Sequence, residues 1–280
     1  MLEIDPLRDG VAPAAAATVV VVRDASPRPE ILLVQRHRAT AFMGGAFVFP
    51  GGRVETSDGD DALVARVAGL DVASAEARLS EPGLGVMASA LFVAAIRETL
   101  EEAGVLLSST PRSDAAEVRA TLAAGTSFDG VARERGLTFD ASRLVPLSRW
   151  VTPAVERKRF DARFFLAKVD RDEVATHDAH ETVAARWSTA ADAVASHLAG
   201  EIDLPPPTLR TLELLARFET ADAMLEAARA SKPPLVRPVF RDLSGSWVLA
   251  LPGDEEHPDK TAVLEGTTRF VCREARWYSQ

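Results

Sequence analysis

The sequence predicts an α/β (α+β) protein, in which a β-sheet packs against helices. Two stretches, Ala16 to Arg23 and Arg163 to Val169, are rich in β-branched or aromatic residues and are typical of buried strands. A third stretch places Phe92, Ile96 and Leu100 at helical spacing, which predicts a helix with an apolar face. The 280 residues are 47% hydrophobic, enough for one large domain or for one domain with an appendage.

Local signals place the remaining elements. Pro27 and Pro29 mark a turn between the first strand and its hairpin partner. Periodicity and β-propensity predict helices over residues 61–68, 73–79, 114–124, 129–136, 190–198, 208–218 and 221–230, and strands over residues 31–37, 47–50, 144–151, 183–187, 235–240, 246–251 and 268–273.

The helix that begins near Ser89 carries a cluster of acidic residues. Glu98, Glu101 and Glu102 stand at positions i, i+3 and i+4, so three carboxylates gather on one side, and Gly104 ends the helix. Like charges at this spacing repel one another unless water screens them or a cation neutralises them. The usual interpretation is a solvated helix face. The alternative is a site for a hard divalent cation such as Mg²⁺, which takes oxygen ligands.

A second motif upstream favours the cation site. An apolar run ending in Pro-Gly-Gly, together with the acidic helix, resembles the Nudix hydrolase signature: Gly, five residues, Glu, seven residues, then Arg-Glu-apolar-x-Glu-Glu-x-Gly-apolar. Gly52 fills the glycine position, and residues 97–105 fill the second half. The chain departs from the pattern at Thr99, which replaces an apolar residue, and at Asp58, which replaces the first Glu.

The signature is split, and this feature restricts the resemblance to one subfamily of Nudix hydrolases. Between its halves, 38 residues (59–96) lie where seven are usual, as in the subfamily that includes the mammalian peroxisomal coenzyme A diphosphatase. Further stretches that agree with this subfamily are residues 41–43, 48–52, 150–153, 159–166 and 204–208. The resemblance covers most of residues 14–218 and implies a Nudix fold, a mixed β-sheet sandwiched between helices.

The resemblance also implies a division of the chain. Residues 1–204 form the Nudix domain, with an insertion near 59–88, and residues 205–280 form a helical and β extension packed on it. The insertion either shapes a specificity wall beside the active site or is a surface excursion. Leu204 to Pro207 predicts a rigid linker. The tail after Pro233 has three candidate roles: to cover the domain, to form a homodimer interface or to close over the site.

The signature carboxylates are the implied metal ligands. By resemblance, Glu98, Glu101 and Glu102, with the carbonyl of Gly51, bind Mg²⁺ or Mn²⁺, which would hold the phosphates and lower the pKa of the attacking water. Glu98 either accepts the proton of that water or holds another metal ion. Arg97 pairs with the signature carboxylates and orients them. With a later carboxylate, the implied catalytic set is Glu98, Arg97, Glu101 and Glu181.

Residues outside the acidic helix complete the implied site. Gly52 allows the loop to approach the helix because it has no Cβ. Arg36 faces the substrate, where a guanidinium suits phosphate, although a solvated strand end would also explain it. Glu181 lies before the last core strand, where a catalytic or metal-binding carboxylate is frequent. Asp58 occupies the position of the first signature Glu, which supports Arg97 or the metal cluster, and Glu55, three residues earlier and with the full side-chain length, is the alternative for that role. The implied substrate-binding residues are Arg36, Gly51 and Gly52.

Nudix enzymes hydrolyse a nucleoside diphosphate linked to another group, so the implied activity is metal-dependent hydrolysis of such a linkage. The subfamily favours coenzyme A or acyl-coenzyme A as the substrate. ADP-ribose, a dinucleotide or a nucleotide sugar are alternatives, because no residue in the sequence separates them. A third hypothesis is a nucleotide-sensing module without catalysis, motivated by Asp58 and the split signature. The intact carboxylate set argues against it.

Composition restricts the partners and the compartment. The net charge of −9 argues against nucleic acid and anionic membranes as partners, but metal ions would reverse the local charge for a small anionic substrate. The single Cys272 excludes an intrachain disulfide. The sequence shows no signal peptide, no apolar run of about 20 residues and no C-terminal Ser-Lys-Leu, which together predict the cytoplasm. Thr176 to Glu181 holds two histidines and two carboxylates, and a polar loop explains it better than zinc.

Overall fold

The structure is a computed structural model and describes residues 11–39, 43–110, 114–178 and 181–280. Four positions of the predicted motifs, Ala41, Phe42, Ala179 and His180, lie outside these ranges.

The chain alternates strands with short helices. The strands are β1 (Ala14–Arg23), β2 (Glu30–Arg36), β3 (Phe47–Val48), β4 (Gly51–Arg53), β5 (Val67–Ala68), β6 (Phe139–Asp140), β7 (Val145–Val151), β8 (Phe160–Val169), β9 (Thr182–Thr189), β10 (Leu235–Val236), β11 (Val239–Leu243), β12 (Ser246–Ala250), β13 (Arg269–Arg273) and β14 (Arg276–Ser279). The helices are α1 (Asp61–Val64), α2 (Val72–Leu79), α3 (Val86–Ala103), α4 (Ala115–Ala123), α5 (Phe128–Glu134), α6 (Ala190–Leu198), α7 (Pro206–Leu215) and α8 (Ala221–Ala230). Two 3₁₀ turns lie at Thr56–Gly59 and Ala141–Arg143. No helix of the described ranges combines the length and the apolarity needed to cross a bilayer.

The main sheet has eight strands of mixed direction, and β1 is its centre. Strands run in the order β10-β7-β8-β1-β2-β3, with β9 paired to β2. Strand β1 is parallel to β8 along its whole length. On its other side β1 pairs with β4 near its start and with β2 near its end, both antiparallel. The sheet therefore divides along β1, and the Val19 amide donates to the Pro50 carbonyl at the division (2.8 Å).

Helices cover both faces of this sheet. Because successive strand residues point to opposite faces, Val19 and Val21 of β1 join a core with α2, α3, α4 and α5. Val20 and Val22 join a second core with α6, α7 and α8. The predicted sandwich of a mixed sheet between helices is confirmed.

The last strands form a separate four-stranded sheet, in the order β11-β12-β13-β14. Its Leu249, Phe270 and Trp277 belong to the second core, so it packs on the helices that cover the main sheet. Buried His197 of α6 links the two parts, because its Nε2 lies 2.8 Å from the Trp277 carbonyl oxygen and its Nδ1 accepts the Leu204 amide. Buried apolar and polar contacts therefore hold the residues after 205 against α6 and the main sheet.

Three local predictions were wrong. The helix predicted over 61–68 ends at Val64, because Val67–Ala68 pairs in parallel with β6. Leu204 to Pro207 is not a free linker, since α7 begins at Pro206; proline has no N–H to lose in a first helical turn. The Gly51-Gly52 loop is a strand, β4, paired with β1. Strand β14 was not predicted.

Candidate active site

Helix α3 is buried along most of its length, and this decides between the two interpretations of its acidic residues. Of its 18 residues 15 are buried, including Glu98 (9% exposed) and Glu102 (3% exposed). Gly104 ends the helix in the left-handed conformation (φ 65°), as predicted. A solvated face is wrong for Glu98 and Glu102, because buried carboxylates must be compensated by hydrogen bonds or cations.

Arg97 organises the carboxylates around it. Its guanidinium donates to both oxygens of Asp58 (2.9 Å each), to Glu98 (2.9 Å) and to Glu101 (2.9 Å). The fifth N–H donates to the carbonyl of Arg53 (2.9 Å). Burial alone would lower the pKa of Arg97, but the hydrogen bonds that it donates to Asp58 and the charges of Glu98, Asp58 and Glu101 raise it. The guanidinium therefore uses all its donors and stays charged.

Asp58 performs the supporting role that its position in the signature implies. Its side chain is 1% exposed, and besides Arg97 it accepts the Glu55 amide (2.8 Å) in a reciprocal capping arrangement. The 3₁₀ turn that carries Asp58 brings its shorter side chain up to Arg97. Glu55 is exposed and lines the cleft, so the structure gives it no substitute role.

Glu102 connects the helix to the sheet at the point where the sheet divides. Its carboxylate accepts the Gly51 amide of β4 (2.9 Å), and its carbonyl accepts the Thr182 hydroxyl at the start of β9 (3.0 Å). Burial, and after it the charge of Glu98, raises the pKa of Glu102 to about 8. No cation contacts this carboxylate among the described residues, although Arg36 acts on it through its charge.

Burial also raises the pKa of Glu98 to about 7, against the effect of Arg97. The negative charges of Glu101 and Glu181 raise the pKa of Glu98 further. Burial raises the pKa of Glu101 as well, although its side chain is 37% exposed. The site therefore holds more negative charge than its one buried guanidinium neutralises.

The two glycines of β4 are required for different steric reasons. A Cβ at Gly51 would overlap the Ala17 carbonyl and lie 2.6 Å from the Cα of Thr18, so it would push β4 away from β1. A Cβ at Gly52 would lie 2.5 Å from the carboxyl carbon of Glu98. A glycine is therefore required at position 51 so that β4 can pair with β1, and at position 52 so that the Glu98 carboxylate can keep its position.

We expect Gly52→Ala to lower turnover by about 10²-fold, because displacing a reacting group by roughly 1 Å has that effect. The fold should persist, since the obstructed atoms belong to a side chain rather than to the backbone. Gly130→Ala is the matched control: a Cβ there meets only the flexible ends of Ser127 and Thr126 at 3.1 Å. Initial rates and thermal unfolding of both variants test this. Equal rates for the two variants would contradict the steric role of Gly52.

The carboxylates line a cleft of about 770 Å³. Arg36, Lys158 and Glu181 line it too, so the structure brings the predicted Arg36 and Glu181 to the site. The Arg36 Nε is buried without a hydrogen-bond partner among the described residues.

Glu181 lies at the entry to β9, where its amide donates to Asp178 (2.9 Å). Asp178 also accepts the Thr182 amide (2.8 Å), so its carboxylate stabilises the turn before β9. This agrees with the polar loop predicted for Thr176 to Glu181.

The insertion fits neither alternative offered for it. No described residue of 59–88 lines the cleft. Its Leu63, Val67 and Leu79 instead join the core around α3, and Glu81 accepts hydrogen bonds from Arg163 of the main sheet (2.6 and 3.0 Å). The insertion is part of the folded core.

The cleft is also lined by residues that the sequence did not assign to a site. They come from the C-terminal extension and from β7 and β8, and they are Pro205, Pro206, Pro207, Thr208, Pro238, Leu249, Trp150 and Phe164. Residues 150–153, 159–166 and 204–208 agree with the subfamily, but the composition of 204–207 predicts a linker. Nothing local in the sequence connects Pro238 or Leu249 with the carboxylates of α3, more than 100 residues earlier.

Comparisons with known proteins agree with this site. A family model described as the NUDT19 Nudix domain matches residues 12–215. The acyl-coenzyme A diphosphatase NUDT19 of Xenopus laevis is 25% identical over 87% of this chain and 75% of its own, and that of Homo sapiens is 29% identical over 84% and 74%. The crystal structure of a NUDIX hydrolase from Alicyclobacillus acidocaldarius is 30% identical, covers 80% of this chain and 98% of its own, and has a TM-score of 0.62. The split signature, the buried carboxylates on α3 and these matches make the chain a Nudix hydrolase of the NUDT19 Nudix domain family.

Proposed function

We propose that the chain hydrolyses the diphosphate linkage of coenzyme A or of its acyl thioesters, with a divalent metal ion. The observation that carries the proposal is the carboxylate cluster of α3, which lines the same cleft as a set of apolar side chains that includes Phe49, Trp150 and Leu249. A substrate with a charged diphosphate and a long uncharged arm matches both kinds of lining. The names of the relatives from Xenopus laevis and Homo sapiens support the same substrate class.

The residues of the cluster suit a hard divalent cation. Nudix hydrolases generally use divalent metals, which prefer carboxylate and carbonyl oxygens. Among the described residues no three acidic, histidine or cysteine side chains are already arranged around a metal position, because Arg97 holds Glu98 and Glu101. Burial disfavours the ionised forms of Glu98 and Glu102, however, and a cation bound between them would stabilise those forms. We assign Glu98, Glu101, Glu102 and the Gly51 carbonyl as the ligands of Mg²⁺ or Mn²⁺.

The bound ion would neutralise the phosphates and lower the pKa of water. Water attacks one phosphorus atom, the bond from that phosphorus to the bridging oxygen breaks, and the other phosphate leaves with the oxygen. Glu98 either accepts the proton of the water as the general base or binds a metal ion. Arg97 keeps Glu98 and Glu101 in position, and Arg36 donates to a phosphate oxygen. Glu181 acts through its charge on Glu98.

A substrate screen tests this function. The panel holds coenzyme A, acyl-coenzyme A, ADP-ribose, NADH and diadenosine polyphosphates, each with Mg²⁺ and with Mn²⁺, and products are identified by mass. We expect 4′-phosphopantetheine, free or acylated, and adenosine 3′,5′-bisphosphate. Activity on another member of the panel alone would contradict the proposed substrate but support diphosphate hydrolysis. Tight nucleotide binding without any turnover would contradict the proposed enzyme and favour a nucleotide sensor.

We expect Mn²⁺ to raise the melting temperature of the protein, and EDTA to reverse the change. A ligand at 100 times its dissociation constant stabilises a protein by about 2.7 kcal/mol, which is several degrees for a chain of this size. Differential scanning fluorimetry measures the shift. Glu117→Gln on α4 changes a carboxylate outside the cleft, so this variant should show the same rise in melting temperature with Mn²⁺. A shift that persists in Glu102→Gln would contradict the assigned ligand.

We retain residues 1–204 as the catalytic domain and 205–280 as an extension that also contributes to the cleft. A reducing compartment suits the single Cys272, and the cytoplasm and a homodimer stay predictions.

A further inference from the structure

A second cavity, of about 620 Å³, is lined by both the insertion and the C-terminal extension. Its lining comes from the end of α2, the end of α8, the start of β7 and the 3₁₀ turn before β7. We call it the α2–α8 cavity. Among the described residues, none lines both this cavity and the cleft that holds the carboxylates. The proposed hydrolysis therefore makes no use of it.

The side chains that line the α2–α8 cavity carry an excess of positive charge. The cations are Arg78 in the last turn of α2, Arg229 in the last turn of α8, and Lys232 just after α8. Asp140 is the one carboxylate among the described residues that line the cavity. Three positive charges and one negative charge leave an excess of +2, although the whole chain has a net charge of −9. Such a local excess favours an anion.

Arg78 is immobilised without using all its donors. Its Nη2 donates to the carbonyls of Ala141 (2.6 Å) and Leu144, and its guanidinium lies over the Phe92 ring, 4.6 Å from the ring centroid. Its Nε and Nη1 donate to no described residue, and both atoms reach solvent. Burial lowers the pKa of Arg78, and the positive charge of Arg229 lowers it further. An anion between the two guanidinium groups would relieve this repulsion.

The ends of the two helices do not account for these cations. A helix C-terminus favours a positive charge because its last carbonyls lack partners. Here the end of α2 is capped by the amides of Ser80 and Glu81, and the end of α8 by the amide and hydroxyl of Ser231. Arg229 and Lys232 are exposed, and neither forms an ion pair or a hydrogen bond with any described residue. Their N–H donors are thus available to a ligand.

We propose that the α2–α8 cavity binds a small phosphorylated molecule, whose phosphate contacts Arg78, Arg229 and Lys232. A phosphate monoester carries a charge of about −1.5 to −2 near pH 7, which matches the local excess of +2. A guanidinium can donate two parallel hydrogen bonds to phosphate oxygens. The cavity is much larger than a phosphate, so it also has room for the organic part of the molecule. This inference does not rest on the proposed function.

Equilibrium dialysis of the full chain against radiolabelled inorganic phosphate tests the site. The buffer contains EDTA, because a divalent metal ion would recruit phosphate to the carboxylates of α3. We expect one phosphate per chain, displaced by glycerol 3-phosphate but not by glycerol. Arg229→Gln should raise the dissociation constant by about tenfold or more, the usual effect of losing a hydrogen bond to a charged group. Lys232→Gln is the second variant, and both should fold, since these side chains are exposed and have no described partner.

Arg133→Gln is the matched control. Arg133 is also an exposed arginine in the last turn of a helix, α5, and it forms no ion pair with any described residue. It lines neither the α2–α8 cavity nor the cleft. Its loss should change the dissociation constant by no more than about twofold, because salt screens an exposed charge that lies outside the site.

The outcomes assign the bound phosphate to one cavity. Phosphate that is lost in Arg36→Gln and kept in Arg229→Gln lies in the cleft and overturns the proposal. Equal weakening in Arg229→Gln and Arg133→Gln is a general effect of charge and overturns it too, as does the absence of binding to the parent. Failure of glycerol 3-phosphate to displace the label would overturn the assigned ligand class. Weaker binding in Arg229→Gln and Lys232→Gln, but in neither Arg133→Gln nor Arg36→Gln, supports the site.

Discussion

Glu102→Gln is expected to lower turnover by about 10³-fold, near 4 kcal/mol of activation free energy, while the protein stays folded. The amide can still accept the Gly51 N–H, so the contact between α3 and β4 survives. What disappears is the negative charge, which the assigned metal ion requires. Because burial and Glu98 raise the pKa of Glu102 to about 8, the ionised carboxylate is costly without metal. The metal-free variant should therefore unfold at the same temperature as the parent or higher.

Glu55→Gln is the control for this variant. It makes the same chemical change in a residue that lines the same cleft but is exposed. We expect its rate to remain within tenfold of the parent. Glu101→Gln should behave like Glu102→Gln if Glu101 is a ligand. Rates are measured at saturating Mg²⁺, and unfolding is followed in EDTA. Turnover of Glu102→Gln within tenfold of the parent would remove Glu102 from the ligand set.

The sequence predicts the acidic helix well because all its signals are local. The spacing of Glu98, Glu101 and Glu102 and the ending at Gly104 depend only on neighbours along one helix, and the structure reproduces both. What the spacing did not reveal is that two of these carboxylates are buried. Burial depends on β4, which reaches α3 only because the sheet divides along β1.

The remaining errors concern contacts between distant parts of the chain. The signature offers Asp58 and Glu55 for one supporting role, and the sequence does not decide between them; the bond from Arg97 to Asp58, 39 positions earlier, exists only in the fold. The insertion was considered as a wall of the cleft because it interrupts the signature, yet it packs into the core around α3. Pro238 and Leu249 line the cleft instead, although no sequence motif marks either of them.

The second large effect is on stability. Arg97→Met should lower the free energy of unfolding by about 3–5 kcal/mol, the usual cost of removing one partner of a buried ion pair. The substitution preserves much of the side-chain volume but leaves Asp58, 1% exposed, with an uncompensated charge. Arg97→Lys should recover only part of the loss, because an ammonium cannot bind both Asp58 oxygens and two further carboxylates in one plane.

Arg217→Met is the matched control for Arg97→Met. Arg217 also pairs with a carboxylate, Glu265, but both side chains are more than half exposed, so the change should cost about 0–1 kcal/mol. Urea unfolding of the metal-free proteins measures both values. In the double variant Asp58→Asn with Arg97→Met, the loss should be smaller than the sum of the two single losses, because no charge is then left buried without a partner at position 58. If Arg97→Met costs no more than Arg217→Met, the guanidinium at the centre of the site orients the carboxylates without stabilising the fold.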